Sequence, residues 1–349
     1  MTTLPTHVTR DATLRVKILD ACGMTCTFCH DEGTPVAADN KPGLPIVSAG
    51  RSGRVSIYAE TNGCTFIPGR VDADGTFRRV VADLRDALDL HEMHLTGGEP
   101  TLHPDVAGIT AVAVEEGYRV RMTSNGERGD RALPGCAAAG LEKVNFSIFG
   151  TTPEELAEVQ HERYRNPKLA ARKIEALQRS IATCVEHGMA ANANVVVLDE
   201  THIPRVHRIL DEWAPQLSVR LLNSLDHGDA SVTAIERVLA ERGARPVARY
   251  VTRGVSGART EYELPDGRRV FFKQIRPVRL PTTCAGCRWN NDRDCQEGFY
   301  GTRLYRGDDG RYWVGVCIQR MDLCRPVEEF LTSSLVDEIR ALRDGEEVA

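Results

Sequence analysis

No apolar run in the sequence approaches the roughly 20 residues that a bilayer-spanning helix needs. The first stretch, MTTLPTHVTRDATLR, lacks the apolar core of a secretory signal. Neither sign of charge dominates, since 44 Lys and Arg against 49 Asp and Glu leave a net charge of −5. There is no general basic field to draw the chain to nucleic acid or to an anionic membrane, and neither is expected as a partner. Low-complexity segments and internal repeats are also missing, and 42% hydrophobic with 27% charged residues is ordinary for a globular chain. The reading is of a cytoplasmic protein whose 349 residues suit a large α/β barrel with an appendage.

Cysteine, by contrast, is plentiful. Eleven cysteines in a compartment that keeps thiols reduced do not form a disulfide framework, which leaves metal or redox chemistry as the leading account. Eight of them fall in two groups, Cys22/Cys26/Cys29 and Cys284/Cys287/Cys295/Cys317/Cys324. Cys64, Cys136 and Cys184 stand alone and read as small buried hydrophobes.

Short apolar runs alternate with helical patterns between the two groups. Leu14–Leu19, Glu92–Gly97, Tyr118–Ser124, Lys143–Gly150, Ala193–Leu198 and Ser218–Ser224 read as six strands. Thr76–Leu90, Asp105–Glu116, Leu169–His187 and Ile203–Trp213 read as helices, with apolar residues near the 3.6-residue period. This alternation predicts an α/β fold with a parallel sheet, either a partial barrel or a doubly wound sheet. Both architectures place their chemistry at the carboxyl ends of the strands. The expected division is a tail over 1–10, a barrel over 11–225 with a lid-like insertion over 33–75, and a connecting helix and β-hairpin over 226–283. An auxiliary domain over 284–330 and a helix and tail over 331–349 complete it.

The loop DACGMTCTFCHDEG, directly after the first strand, offers three thiols, one short of the four ligands of a structural zinc site. Three thiolates on a [4Fe–4S] cluster leave one iron open to another ligand. The CxxxCxxC spacing, with Phe28 before the last cysteine, resembles the signature of the radical S-adenosylmethionine (SAM) superfamily. That resemblance implies a partial (β/α)6 TIM-like barrel and a cluster on Cys22, Cys26 and Cys29 whose open iron chelates SAM. It also implies an external one-electron donor of flavodoxin or ferredoxin type and a 5′-deoxyadenosyl radical that abstracts hydrogen from substrate. Gly97, Gly98, Glu99 and Pro100 match the superfamily's GGEP segment, which holds the amino group of SAM. MTSNG and VNFSIFG end the next two strands as further superfamily segments do, which makes Ser124, Asn145 and Ser147 candidate SAM contacts, and Asn194 matches a position that reaches the ribose.

In the second group, GFYGTRLYRGDDGRYWVGVC reads as a hairpin around Asp308-Asp309-Gly310 that returns Cys317 toward Cys284 and Cys287. A zinc ribbon and an iron–sulfur site both suit this layout. It is similar to the auxiliary-cluster, or twitch, domain of the MoaA-like GTP 3′,8-cyclase group, whose hairpin pattern Arg303, Asp309, Gly310 and Cys317 match. The resemblance implies a second [4Fe–4S] cluster, expected on Cys284, Cys287, Cys295 and Cys317, with Cys324 either a spare thiol or an alternative ligand. The group uses three auxiliary cysteines and ends in a double glycine; five candidate cysteines and the ending GEEVA depart from that pattern.

Arg276, Arg279 and Arg303 are candidates to grip phosphate or carboxylate groups of substrate. The leading expectation is a small-molecule substrate of sugar, nucleoside or nucleotide type in cofactor or natural-product biosynthesis. One alternative is modification of a ribosomally made peptide, for which the 21 residues before Cys22 are too few to form a leader-recognition domain. The other is a non-catalytic iron–sulfur or zinc scaffold.

Overall fold

The computed structural model describes residues 4–29, 67, 69–160, 162–213, 216–225, 227–291, 295–317, 320 and 323–347. Most of the expected lid-like insertion, and Cys64 with it, lies outside the described residues. The strands are β1 (Thr6–Arg10), β2 (Thr13–Lys17), β3 (Glu92–Thr96), β4 (Arg119–Ser124), β5 (Leu141–Ser147), β6 (Ala190–Val197), β7 (Ser218–Asn223), β8 (Arg245–Arg253), β9 (Gly257–Glu263), β10 (Arg269–Ile275), β11 (Thr302–Arg306), β12 (Tyr312–Gly315) and β13 (Arg325–Pro326). The helices are α1 (Gly75–Leu88), α2 (Val106–Glu115), α3 (Gly129–Ala138), α4 (Pro153–Glu158), α5 (Pro167–Glu186), α6 (Ile203–Arg208), α7 (Gly228–Glu241), α8 (Val327–Leu331) and α9 (Ser334–Gly345). From β2 to α7 each strand is followed by a helix, which is the six-unit βα order read from the sequence.

The chain packs as two compact units: Ala12–Ala191 with Thr302–Thr332, and Met1–Asp11 with Asn192–Gly301 and Ser333–Ala349. These units divide the chain differently from the expected limits in three places. Residues 6–10 are a strand, β1, paired in parallel with β8, and not a loose tail. The division near Leu225 falls instead at Ala191/Asn192. The segment 284–330 is split at Gly301/Thr302, because β11 has a paired edge waiting for it on β2, where Thr302, Arg303 and Leu304 lie in register with Leu14, Arg15 and Val16.

In the first unit the strand order is β5-β4-β3-β2-β11-β12-β13, parallel through β11 and antiparallel beyond it. Alternation sorts the side chains. Leu14, Val16, Met93, Leu95, Val120, Met122, Val144 and Phe146 are fully buried on one face. Helix α2 packs on β4, and α3 and α5 on β5. The lone cysteines Cys136 of α3 and Cys184 of α5 are fully buried there, as small hydrophobes. Polar residues alternate onto the other face of the strands, where the site lies. Helix ends are set by local chemistry: Asp74 accepts from the Phe77 amide at α1, Thr152 and Glu155 form a capping box at α4, and Asn166 caps α5 ahead of Pro167.

The second unit runs β1-β8-β9-β10-β7-β6. The β-hairpin expected within 226–283 is β9 and β10, antiparallel with Arg269 opposite Glu263 and turning at Pro265-Asp266-Gly267. This unit also buries an ion pair, Arg343 Nη2 to Asp11 Oδ2 at 2.7 Å, with the two side chains 0% and 5% exposed. Removing one partner strands a charge away from water. Arg343→Met is therefore expected to cost about 3–5 kcal/mol, read as a lower urea midpoint, and Arg343→Met/Asp11→Leu to recover most of it. An unchanged midpoint in the single variant would show that the pair contributes nothing.

Candidate functional site

The cysteine loop leaves β2 through Asp20, whose carboxylate pairs with the buried Lys17 ammonium and accepts from the Gly69 amide at 2.8 Å. Next it lies against the end of β3. The Gly98 amide donates to Leu19 O at 2.9 Å and the Glu99 amide to Ala21 O at 2.8 Å. A Cβ on Gly98 would stand 2.1 Å from Ala21 O, and one on Gly97, at φ +141°, 2.5 Å from Leu19 O. The glycines of GGEP are thus required by the backbone that leads into the cysteines.

Glu99 is almost wholly buried, and its carboxylate is turned inward. Oε1 accepts from the Thr101 amide at 2.9 Å, the Thr101 hydroxyl at 2.7 Å and the Ser124 hydroxyl at 2.6 Å, and Oε2 accepts from the Asn125 amide at 2.5 Å. Burial pushes its pKa up, and these donors resist the shift. The sequence reading gave Ser124 and Glu99 to SAM directly. In the structure they bind one another and lock the ends of β3 and β4 together.

The loop is held on its other side by residues the sequence reading did not single out. Gln160 accepts from the Thr25 amide at 2.7 Å, and its Nε2 lies 3.6 Å from Cys26 Sγ. Val159 O accepts from the Thr27 amide at 3.0 Å. Asn125 Nδ2 lies 3.6 Å from Cys22 Sγ, and the Met24 amide 3.4 Å from the same sulfur. Phe28 packs edge-on to Phe149 at 4.9 Å. Burial raises the pKa of Cys22, with the Glu99 charge adding to it, and pushes Cys26 up to about 12, with Cys29 adding to it. Among the described residues no three His, Cys, Asp or Glu side chains meet closely enough to share a single ion. Three sulfurs in one loop, two of them facing N–H donors, form a donor set that fits an iron–sulfur cluster, where such hydrogen bonds stabilise thiolate.

The remaining predicted residues separate. Asn145 on β5 is buried, and Ser147 ends that strand half-buried. Asn194, in the second unit, accepts from Arg220 Nη2 at 2.6 Å. Cys284, Cys287 and Cys295 lie in that unit near enough to feel one another: burial raises Cys284 and Cys295, and the Cys287 charge adds to each. Cys317 and Cys324, in the first unit, both act on the buried Arg303, whose pKa burial lowers to about 10. Arg276 is engaged within its own unit, where Glu346 and the carbonyls of Thr252 and Val255 take its guanidinium. Arg279 donates to Cys295 O at 2.5 Å and to Asn290 Oδ1 at 3.0 Å, bracing the turn that carries the cysteine.

Arg303 has company of a kind the sequence reading missed. Strand register puts Arg303 beside Arg15, Arg15 beside His94, His94 beside Arg121, and Arg121 beside Lys143. Arg15 Nη1 meets His94 Nδ1 at 3.2 Å, and His94 Nε2 meets Thr123 Oγ1 at 2.7 Å, so the proton of a neutral His94 sits on Nε2. Arg121 pairs with Glu92 at 2.8 Å. Three arginines and Lys143 flank His94 in one cross-strand row, and a bound anion would relieve the positive charge there that the Glu92 pairing with Arg121 does not offset. The signal was legible as alternate polar residues in LRVK, EMHLT and RVRMTS.

Gly98→Ala is expected to shift the cysteine loop and destabilise the protein by about 1–3 kcal/mol, lowering the melting temperature and the iron retained after anaerobic reconstitution. Wild-type stability and iron content in this variant would show that the close approach is not needed.

The sequence profile of the radical SAM superfamily matches residues 16–208, more than half of the chain. A "Probable GTP 3′,8-cyclase" of Aeropyrum pernix is 27% identical over 281 residues, covering 78% of this chain and 68% of that one. Another of the same printed name, from Sulfurisphaera tokodaii, is 25% identical over 344 residues, covering 96% and 91%. Among solved structures, Streptococcus suis SuiB bound to the precursor peptide SuiA aligns with a TM-score of 0.51 at 13% identity, over 97% of this chain and 66% of that one. This likeness shows the fold, the α/β partial-barrel class expected from the sequence. The chain belongs to the radical SAM superfamily and is an enzyme of that superfamily, which uses a [4Fe–4S] cluster and SAM.

Proposed function

We propose that the enzyme abstracts hydrogen from a phosphorylated small molecule of nucleotide or sugar-phosphate type. The basic row Arg303–Arg15–His94–Arg121–Lys143 carries this reading. Arginine forks grip phosphate oxygens in pairs, and a row along parallel strands suits an extended polyanion. Similarity to proteins named probable GTP 3′,8-cyclases along 96% of the chain supports a nucleotide.

Cys22, Cys26 and Cys29 would hold the cluster, and Gly97 to Pro100 would lie beside SAM. When bound, the cluster and SAM supply a 5′-deoxyadenosyl radical. The protein's own contribution is positional. Glu99, Thr101, Ser124 and Asn125 fix the strand ends, Gln160 and Asn125 face the sulfurs, and the basic row orients the substrate's anionic end. Cys284, Cys287 and Cys295 would hold the second cluster. We place the enzyme in the cytoplasm with an external one-electron donor; among the described residues no helix is long and apolar enough to cross a membrane.

Anaerobically reconstituted protein is expected to carry about eight irons, four for each cluster, and to release 5′-deoxyadenosine from SAM and dithionite. Cys22→Ala/Cys26→Ala/Cys29→Ala should abolish release while keeping the C-terminal metal; retained release would sink the assignment. Arg15→Ala should weaken binding of GTP, used as the probe anion, about tenfold or more, the loss of a charge-assisted hydrogen bond, with iron content unchanged. Equal binding by both proteins would remove the basic row from the substrate site.

A further inference from the structure

We infer that the surface made by Tyr164, Arg165, Lys168, Leu169 and Arg172, where α5 begins, is the docking site of an acidic one-electron carrier protein of flavodoxin type. The inference rests on the radical SAM reading, because only that chemistry calls for an electron from outside.

Position is the first reason. A cavity of about 190 Å³ is lined by Tyr164, Leu169 and Lys173 on one side and by Cys22, Gly23 and Thr25 of the cysteine loop on the other. The surface therefore shares a cavity with Cys22, one of the three cysteines that would hold the cluster. Composition is the second reason. Leu169 is 46% exposed and Tyr164 37%, and they are two of the six large hydrophobic residues most exposed among those described. Exposed apolar side chains beside a half-buried cysteine of the cluster loop suit a partner that comes and goes.

Charge selects the partner. Five basic residues and one acidic residue lie between Glu162 and Lys173, in a chain whose net charge is −5. Arg165, Lys168 and Arg172 are exposed around the apolar pair. An apolar centre with a cationic rim is the anatomy of a small transient interface, and the rim charges speed encounter with an acidic surface. The platform is firm, since Asn166 caps α5, Pro167 starts it, and Ala170, Ile174, Leu177 and Ile181 bury its other face. On docking, the carrier loses one electron and the iron–sulfur centre gains it; no proton or group is exchanged.

The test uses the full chain, anaerobically reconstituted, with an acidic bacterial flavodoxin as the probe. Binding is followed by calorimetry at low and high salt. Lys168→Glu/Arg172→Glu is expected to weaken binding at low salt about tenfold or more and to flatten its salt dependence. Leu169→Ser should weaken it at both salts. SAM cleavage driven by dithionite should stay at the wild-type rate in all variants, while cleavage driven by flavodoxin falls. Wild-type protein that fails to bind flavodoxin, variants that bind it as tightly as wild type, or RNA held at this surface in its place would overturn the inference. Absence of dithionite-driven cleavage in the wild type would count against the radical SAM reading instead, and the binding measurements would still decide the surface.

Discussion

Two backbone hydrogen bonds, from the amides of Gly98 and Glu99 to the carbonyls of Leu19 and Ala21, bring the end of β3 onto the root of the cysteine loop. Side chains cannot occupy that space, so the pair of glycines is a steric requirement before it is a binding motif. Once the strand end is seated, Glu99 falls inside and gathers the Thr101 and Ser124 hydroxyls and the amides of Thr101 and Asn125. Asn125 is then in place to face the Cys22 sulfur. A steric fact about two glycines is transmitted, through one buried carboxylate and Asn125, to the electrostatics of the Cys22 thiol.

That carboxylate is costly where it stands. Burial and the nearby Glu99 both disfavour negative charge on Cys22, and burial does the same to Cys26. Thiols in such a place prefer to keep their protons unless a cation displaces them, so metal binding at this loop is coupled to proton release. The amide donors from Gln160, Asn125 and Met24 act in the opposite sense, lowering the cost of thiolate. The loop is thereby stable with protonated sulfur yet arranged for charged sulfur, as a site assembled after folding requires.

Much of this is legible in the sequence itself. The six βα units follow from the change of period between strands and helices, and the cysteine spacing points to three ligands in one loop. Other features were hidden for physical reasons. Strand β8, ARYVTR with Pro246 near its start, is half-exposed, so it lacks the apolar alternation that marks a buried strand. Strand β1 is hidden likewise, four of its five residues being exposed. Arg276 looked like an anion-binding residue because its partner, Glu346, is 70 residues away in sequence. The inward turn of Glu99 was invisible for the same reason, since two of its donors come from the next strand's end. Contacts of long sequence separation leave no local periodicity to read.

The placement of β11 joins these themes. A parallel strand added to β2 from far along the chain puts Arg303 directly beside Arg15 and extends the basic row by one position. The same hairpin carries Cys317 and Cys324, whose charges act on Arg303 in the opposite sense to its neighbour Arg15. A buried guanidinium between a like charge on one strand and two sulfurs after the next is poised by both: thiolate character at Cys317 and Cys324 favours it, and Arg15 disfavours it. An anion seated on the basic row would offset the repulsion from Arg15 and so ease the burial of this arginine.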